Sequence, residues 1–376
     1  MNRYLNKHII NDLKKKMVFI TGPRQVGKTY LAKAIAEKFS SSVYLNYDDI
    51  DHARMIRKRQ WPTASPLIIF DELHKMKNWK NYLKGTFDTR PANQQYLITG
   101  SARLDTFRQT GDSLAGRYYH YRLNPFSVRE LKSPNETPYD ILSRLITLGG
   151  FPEPYLSGTP VEANRWRQQY FTGIVREDIL DFSRIQEVRA IRLLVDMLRK
   201  RVGAPLSFSS LARDLQIAPN TVKKYIAILE SLYIVFLIRP YHRDVARAIL
   251  KGPKIYFYDC GYVNRDEGSR FENAVAVSLL KHAQYLQDVE AQNISLHYIR
   301  TKEGRELDFV LTLDGQARQG IEVKLSDDHI APPLAYFKKK LPEMEMLQLV
   351  HNLRQEKDVD GISVRHAGEW LANLDA

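Results

Sequence analysis

The sequence predicts an α/β fold: a parallel sheet first, a helical stretch after it, and a smaller α/β region at the end. Three observations carry this. Gly22-Pro23-Arg24-Gln25-Val26-Gly27-Lys28-Thr29 reads G-x-x-x-x-G-K-T between a strand-like run and a helical one. Pro66-Leu67-Ile68-Ile69-Phe70-Asp71-Glu72 is an apolar run that ends in two acids. Glu306 to Leu313 and Gly320 to Leu325 alternate with period two around Asp314-Gly315.

Met17 to Thr21 is apolar and β-branched, as a buried parallel strand requires. From Lys28 the period becomes helical, with Leu31, Ile35 and Phe39 on one face. Strand, glycine loop and helix together make a P-loop. Gly22 and Gly27 let the backbone curl so that successive N–H groups point at an anion, and the helix N-terminus adds its positive end. The segment Gly22 to Tyr30 is therefore expected to cradle ATP. Lys28 would reach the β- and γ-phosphates, and the Thr29 hydroxyl would ligate Mg²⁺. Ser42 to Leu45 reads as a second strand. Asp48, Asp49 and Asp51 after it face either the nucleotide or solvent. Asp71 is expected in the Mg²⁺ shell and Glu72 as the base that polarises water.

Gln95 to Ser101 is a fourth strand. Ser101 or Thr99 would contact the γ-phosphate, or Gly100-Ser101 is simply a turn. Arg117 precedes a fifth strand, Tyr118 to Leu123. It either reaches the nucleotide of a neighbouring subunit, which implies a homo-oligomer, or forms a surface salt bridge.

The 376 residues allow two or three domains, and 44% hydrophobic content suffices for their cores. A net charge of +13 points to an anionic partner, nucleic acid and DNA first. The single cysteine, Cys260, excludes intrachain disulfides and cysteine-cluster zinc sites and fits a reducing cytoplasm. The first residues are too polar for a signal peptide. Apolar runs such as Leu232 to Ile238 fall far short of the ~20 residues that span a bilayer, so no membrane is expected.

Residues 126–202 read as helical, with a break at Ser133-Pro134 and a loop marked by Pro152, Pro154 and Pro160. Ala163 to Asp181 and Glu187 to Arg201 are predicted helices. Arg176-Glu177-Asp178 would be helix surface or subunit contact. In 203–260, Ser207 to Leu215 is a short helix. A turn at Ala218-Pro219 follows, then a helix capped by Asn220 with Val222, Ile226, Leu229 and Leu232 on one face. Lys223 and Lys224 lie off that face. Strands at Tyr233 to Ile238 and Lys254 to Tyr258 flank Arg239, His242, Arg243, Arg247 and Lys251. That is a winged-helix pattern with a basic wing, suited to DNA phosphates or to protein docking.

In 261–376, Arg270 to His282 is a helix carrying Glu272, and Ile294 to Arg300 is a strand. If opposed position numbers in the last two strands sum to 630, Leu307 faces Val323 and Phe309 faces Ile321, stacking one apolar face. A one-residue slip would bury charge, so this register is preferred. Asp308, Glu322 and Lys324 then share the polar face.

Gly-Pro-Arg-Gln-Val-Gly-Lys-Thr, Phe-Asp-Glu-Leu-His-Lys-Met-Lys-Asn-Trp, Thr-Gly-Ser-Ala and Ser-Leu-Ala-Gly-Arg-Tyr resemble a prokaryotic group of AAA-plus ATPases with a C-terminal region of unknown function. Gly149-Gly150-Phe151-Pro152-Glu153-Pro154, Lys254 to Gly261, Phe271-Glu272-Asn273, Glu306 to Phe309 and Glu322-Val323-Lys324 extend the resemblance over nearly the whole chain. It implies an ATPase domain at 1–125 and a helical lid at 126–202. The last region resembles a PD-(D/E)xK nuclease core, although Leu307 stands where that motif has proline. The resemblance implies that Asp308 and Glu322 hold a metal, with Lys324 and Glu272 beside them, in an active nuclease or a degenerate fold that keeps the shape alone.

Overall fold

β1 (Met17–Thr21) is buried along its whole length, and a strand buried on both faces needs the unbroken apolar run seen there. It pairs in parallel with β4 (Gln95–Thr99) on one side and β5 (Tyr118–Arg122) on the other. β3 (Leu67–Asp71) lies beyond β4, and β2 (Ser42–Asn46) beyond β3. The order is β2-β3-β4-β1-β5, all parallel. The fourth strand is thus inserted between the P-loop strand and the strand that ends in Asp71. Phe19, Phe70, Tyr96 and Ile98 pack on one side of this sheet.

The structure is a computed structural model; it describes residues 3–100, 114–174, 185–241, 252–327 and 329–376. The chain divides into two compact units, Met1–Asn124 and Pro125–Ala376. Ser101, the Arg176-Glu177-Asp178 run and the wing residues His242, Arg243, Arg247 and Lys251 lie outside the described residues. Asp49 has a local role. It caps the helix Ile50–Lys58 by accepting the His52 N–H.

The second unit holds an eight-stranded sheet. β6 (Val235–Pro240) and β7 (Lys254–Phe257) form an antiparallel pair at one edge. β8 (Ile294–Arg300), β9 (Glu306–Leu313) and β10 (Gln316–Lys324) follow, each antiparallel to the next. β11 (Glu345–Val350) lies parallel to β10, and β12 (Lys357–Val359) and β13 (Ile362–His366) close the far edge. β6 runs parallel to β8, so the expected boundary at 260 falls within a continuous sheet.

Phe309 opposes Ile321, the pair with the expected sum of 630. Leu313 opposes Gln316 across a tight Asp314-Gly315 turn, and a bulge between Ala317 and Gln319 restores the register. Leu307 and Phe309 are fully buried.

Several helices begin at proline: Pro138–Leu148, Pro152–Ser157, Pro160–Ile174 and Pro219–Ser231. This corrects the loop expected at Pro152 and Pro160 and the cap expected at Asn220. Proline is already set for the first helical turn and needs no N–H there, so Pro219 starts the helix and Asn220 falls inside it. Val222, Ile226 and Leu229 are buried as the period requires. The helix expected from Arg270 runs Glu267–Val289, capped by Asp266 on the Ser269 N–H.

Two of the glycine motifs have a packing cause. Arg167 Nε donates to Asp259 Oδ2 at 2.6 Å, and both side chains are buried. A Cβ on Gly149 would fall 1.9 Å from Asp259 Oδ1, and one on Gly261 would fall 1.8 Å from Arg167 Cζ. Only hydrogen fits at these two places. In Phe271-Glu272-Asn273, Asn273 accepts the N–H of Phe257 and donates to its carbonyl, tying down the edge strand β7.

Candidate functional sites

The first site grows from the C-terminal end of β1. Gly22 has φ +144°, Gln25 +58° and Gly27 +99°, the left-handed steps that turn backbone N–H groups inward. A Cβ on Gly22 would sit 2.2 Å from the Leu123 carbonyl oxygen, so the loop closes against β5's exit only with glycine. Arg3, which the sequence reading missed, donates to the carbonyls of Val26 and Asn124 and pins the loop from beneath. Pro23 and Val26 are buried, Arg24 is half-buried, and Gln25, Thr29 and Tyr30 are exposed.

Lys28 Nζ donates to the carbonyls of Gly22 at 3.0 Å and Pro23 at 2.6 Å. Burial pulls this ammonium down to about 8, against the opposing pull of Glu72 and Asp71. Thr29 Oγ1 donates to Asp71 Oδ2 at 3.0 Å, and Thr99 Oγ1 to Asp71 Oδ1 at 2.7 Å. Tyr44, also missed by the sequence reading, donates its hydroxyl to Asp71 Oδ2 at 2.5 Å. Asp71 is therefore gripped from both neighbouring strands and from the P-loop helix. The insertion of β4 beside β3 is what delivers Thr99.

Glu72 has left-handed backbone at φ +54°, directly after the end of β3. Burial, and then Asp71, raise its carboxyl above the ordinary range. Glu72 Oε2 makes no hydrogen bond among the described residues, and His74 Nε2 lies 3.5 Å from it. A buried carboxylate oxygen without a donor is suited to accept one from a water. The donors of the loop, the Thr29 hydroxyl and the Asp71 carboxylate fit a magnesium–nucleotide complex.

Arg117 is not brought to this site within its own chain. It precedes β5, at the end of the sheet where Met17 pairs with Tyr118, whereas the P-loop leaves from Thr21, which pairs with Arg122. Its guanidinium makes a two-point bond to Asp88, at 2.8 and 3.0 Å.

The second site lies on the sheet of the second unit. Asp308, Glu322, Lys324 and Glu272 come together as one electrostatic group. The shared polar face is enclosed at Glu322, which is 6% exposed. Lys324 Nζ donates to Glu322 Oε1 at 2.9 Å. Asp308 Oδ2 accepts the Val323 N–H at 3.0 Å. Burial, and then Asp308, push both Glu272 and Glu322 up to about 7.

A lysine stands among these acids. Lys254 Nζ lies 2.6 Å from Glu306 Oε1, 3.4 Å from Asp308 Oδ1 and 3.7 Å from Glu272 Oε1. Burial lowers this ammonium, but the three carboxylates outweigh it and hold it above its usual value. Tyr256 donates to Glu272 Oε1 at 2.7 Å. No group of three or more His, Cys, Asp or Glu among the described residues is disposed to hold a metal ion. Close carboxylates need a cation between them, and a lysine meets that need as a divalent ion would. The missed residues had a signal. Lys254 and Tyr256, like Glu306 and Asp308, are two apart in strands and so point to one face.

The helix pair Phe208–Leu215 and Pro219–Ser231 is followed by the β6–β7 pair. Lys224 faces Glu187 at 3.6 Å, and Lys223 lies over the Phe208 ring. Among the described residues no helix is long and apolar enough to cross a membrane.

Residues 14–132 match a family model described as an AAA domain. Residues 139–268 and 267–365 match two models described as domains of unknown function, DUF8612 and DUF4143. An uncharacterized protein of Mycobacterium tuberculosis is 26% identical over 315 residues, covering 82% of this chain and 70% of its own. An uncharacterized protein of Methanocaldococcus jannaschii is 22% identical over 380 residues, covering 92% and 83%. Among solved structures, a Walker-type ATPase of Pyrococcus abyssi aligns with a TM-score of 0.44 at 14% identity, over 69% of this chain and 93% of that one. A signal-transduction ATPase with numerous domains from Pyrococcus horikoshii aligns at 0.24 and 16%, over 77% and 48%. The chain thus carries an AAA-type ATPase domain in its first unit and a C-terminal domain of a kind to which no function is attached.

Proposed function

We propose that this protein is a Mg-ATP-dependent ATPase of the AAA-plus type whose second unit binds DNA. The observation that carries the ATPase reading is the grip on Asp71 by Thr29 and Thr99 beside the curled loop, with Glu72 held next to it. When bound, magnesium would screen the charge of the phosphates. The loop N–H groups and Lys28 bind the phosphates, and Lys28 must leave the Gly22 and Pro23 carbonyls to do so. Thr29 and Asp71 orient the ion, and Glu72 takes the proton of the attacking water. A homo-oligomer enters this reading through Arg117, which would have to exchange Asp88 for a neighbour's nucleotide. The cytoplasm is its setting, consistent with the buried free thiol of Cys260.

The DNA reading rests on the net charge of +13 and on the winged-helix pattern of residues 203–260, with Lys223, Lys224 and Arg239 as phosphate contacts. A second reading is favoured by Lys254. In it the PD-(D/E)xK-like face is degenerate, and ATP turnover switches a binding module rather than a nuclease. The test is ATP turnover with and without duplex DNA, together with DNA cleavage in Mg²⁺. Stimulation of turnover by DNA supports the first reading. Turnover indifferent to DNA removes the DNA partner. Cleavage that disappears in Asp308→Ala while ATP turnover survives restores a nuclease.

A further inference from the structure

We propose that Lys254 is the resident cation of the acidic cluster, so that the second unit's carboxylate face works without a divalent ion. The cluster gathers Glu272, Glu306 and Asp308 around one Nζ, at 3.7, 2.6 and 3.4 Å. Lys254 is 1% exposed, so this ammonium cannot be satisfied by water and depends on these three acids. Further acceptor positions of the acids are taken as well, with Glu272 sharing Oε1 between Lys254 and Tyr256. Asp308 Oδ2 holds the Val323 N–H, Glu272 Oε1 holds the Tyr256 hydroxyl, and Glu306 Oε2 takes Arg300 at 3.0 Å.

Glu322 keeps one buried oxygen uncommitted. It is buried, Lys324 meets only Oε1, and Oε2 has no hydrogen-bond partner among the described residues. Its electrostatic neighbours are Asp308, Lys324 and Lys254. That oxygen is what a metal between Glu322 and Asp308 would use. Lys254 already supplies positive charge on the Asp308 side, and a divalent ion there would meet an ammonium it cannot displace into solvent. Like charges a few ångströms apart in a partly buried site exclude one another. The arrangement is therefore a lysine-closed carboxylate face, and Lys254→Met opens it, because methionine keeps the length and apolar bulk without the charge.

Mn²⁺ binding to the full-length, nucleotide-free chain tests this, read from the loss of the free-ion electron paramagnetic resonance signal. The wild type and Asp308→Asn are expected to bind the same number of ions, because Asp308 holds none. Lys254→Met is expected to gain one Mn²⁺ per chain, and Lys254→Met with Asp308→Asn to lose it again. A wild-type ion that Asp308→Asn removes overturns the proposal. So does a folded Lys254→Met chain that gains none. Should Lys254→Met fail to fold, melting of the wild type and Asp308→Asn with and without Mg²⁺ still decides. Equal shifts in the two support Lys254 as the cation, and a Mg²⁺ shift confined to the wild type rejects it.

Discussion

Each unit of this protein sets one lysine beside a group of acids, and the two lysines are held in opposite ways. Lys28 rests on two backbone carbonyls, with Asp71 and Glu72 further off, and burial weakens its hold on its proton. Lys254 is surrounded by three carboxylates that strengthen it. A carbonyl is a neutral acceptor, so Lys28 can exchange it for a phosphate and gain. Lys254 would have to leave three half-buried acids without their cation. The first arrangement is one for binding an anionic ligand, and the second is one for neutralising the fold.

The largest effects fall on turnover in the first unit. Lys28→Ala should lose nucleotide binding and lower turnover by about 10²–10³-fold, the scale of one lost electrostatic contact to the reacting group. Glu72→Gln should still bind ATP while turnover falls by about 10²–10⁴-fold, as for loss of a general base. Binding of a fluorescent ATP analogue beside steady-state hydrolysis separates the two, and full turnover by Glu72→Gln would remove its role. Neither change should lower the melting temperature much, since Lys28 is held only by carbonyls.

Lys254→Ala should act on stability instead, by about 3–5 kcal/mol, the cost of breaking a buried ion pair from one side. Urea unfolding followed by far-ultraviolet circular dichroism measures it. A variant as stable as the wild type would erase the contrast between the two lysines.

Stability should also fall as pH rises. The folded chain holds the Glu272 and Glu322 protons up to about 7, whereas the unfolded chain releases them near the ordinary 4.5. The native state therefore binds more protons between those values, and stability declines through that window and levels off above it. Each tenfold gain in proton affinity on folding is worth about 1.4 kcal/mol, so the decline for the two groups together should be several kcal/mol at most. Asp308→Asn, which removes the shared repulsion, should flatten the curve. A melting temperature that climbs from pH 5 to pH 8 would contradict this.

The smallest effect is expected for Arg117→Ala, because both partners of the Arg117–Asp88 pair lie at the surface. Turnover of dilute protein should be unchanged. If Arg117 acts between subunits as proposed, associated Arg117→Ala chains lose turnover and mixing them with Glu72→Gln chains restores part of it; no loss and no recovery at any concentration removes that role.

How much could be read in advance follows the range of each interaction. The P-loop, the acid-ended strand and the Phe309–Ile321 pairing rest on neighbours in sequence or on strict alternation, and each stands in the structure where the letters put it. The proline-led helices escape such a reading because proline breaks a helix interior yet starts a helix well, and the letter alone does not say which.

What the sequence alone determined is the set of local patterns: which runs are strands, where the backbone must curl at Gly22 and Gly27, and which side chains share a strand face. Only the tertiary structure decided the partners. Thr99 reaches Asp71 because β4 inserts between β1 and β3. Arg117 takes Asp88 from a helix 29 positions away. Lys254 of β7 reaches Glu306 and Asp308 of β9 although β6 and β8 stand between those strands in the sheet order. Charge attraction carries no sequence period, so nothing in the spacing from Lys254 to Asp308 announces their meeting; only the folded sheet brings them together.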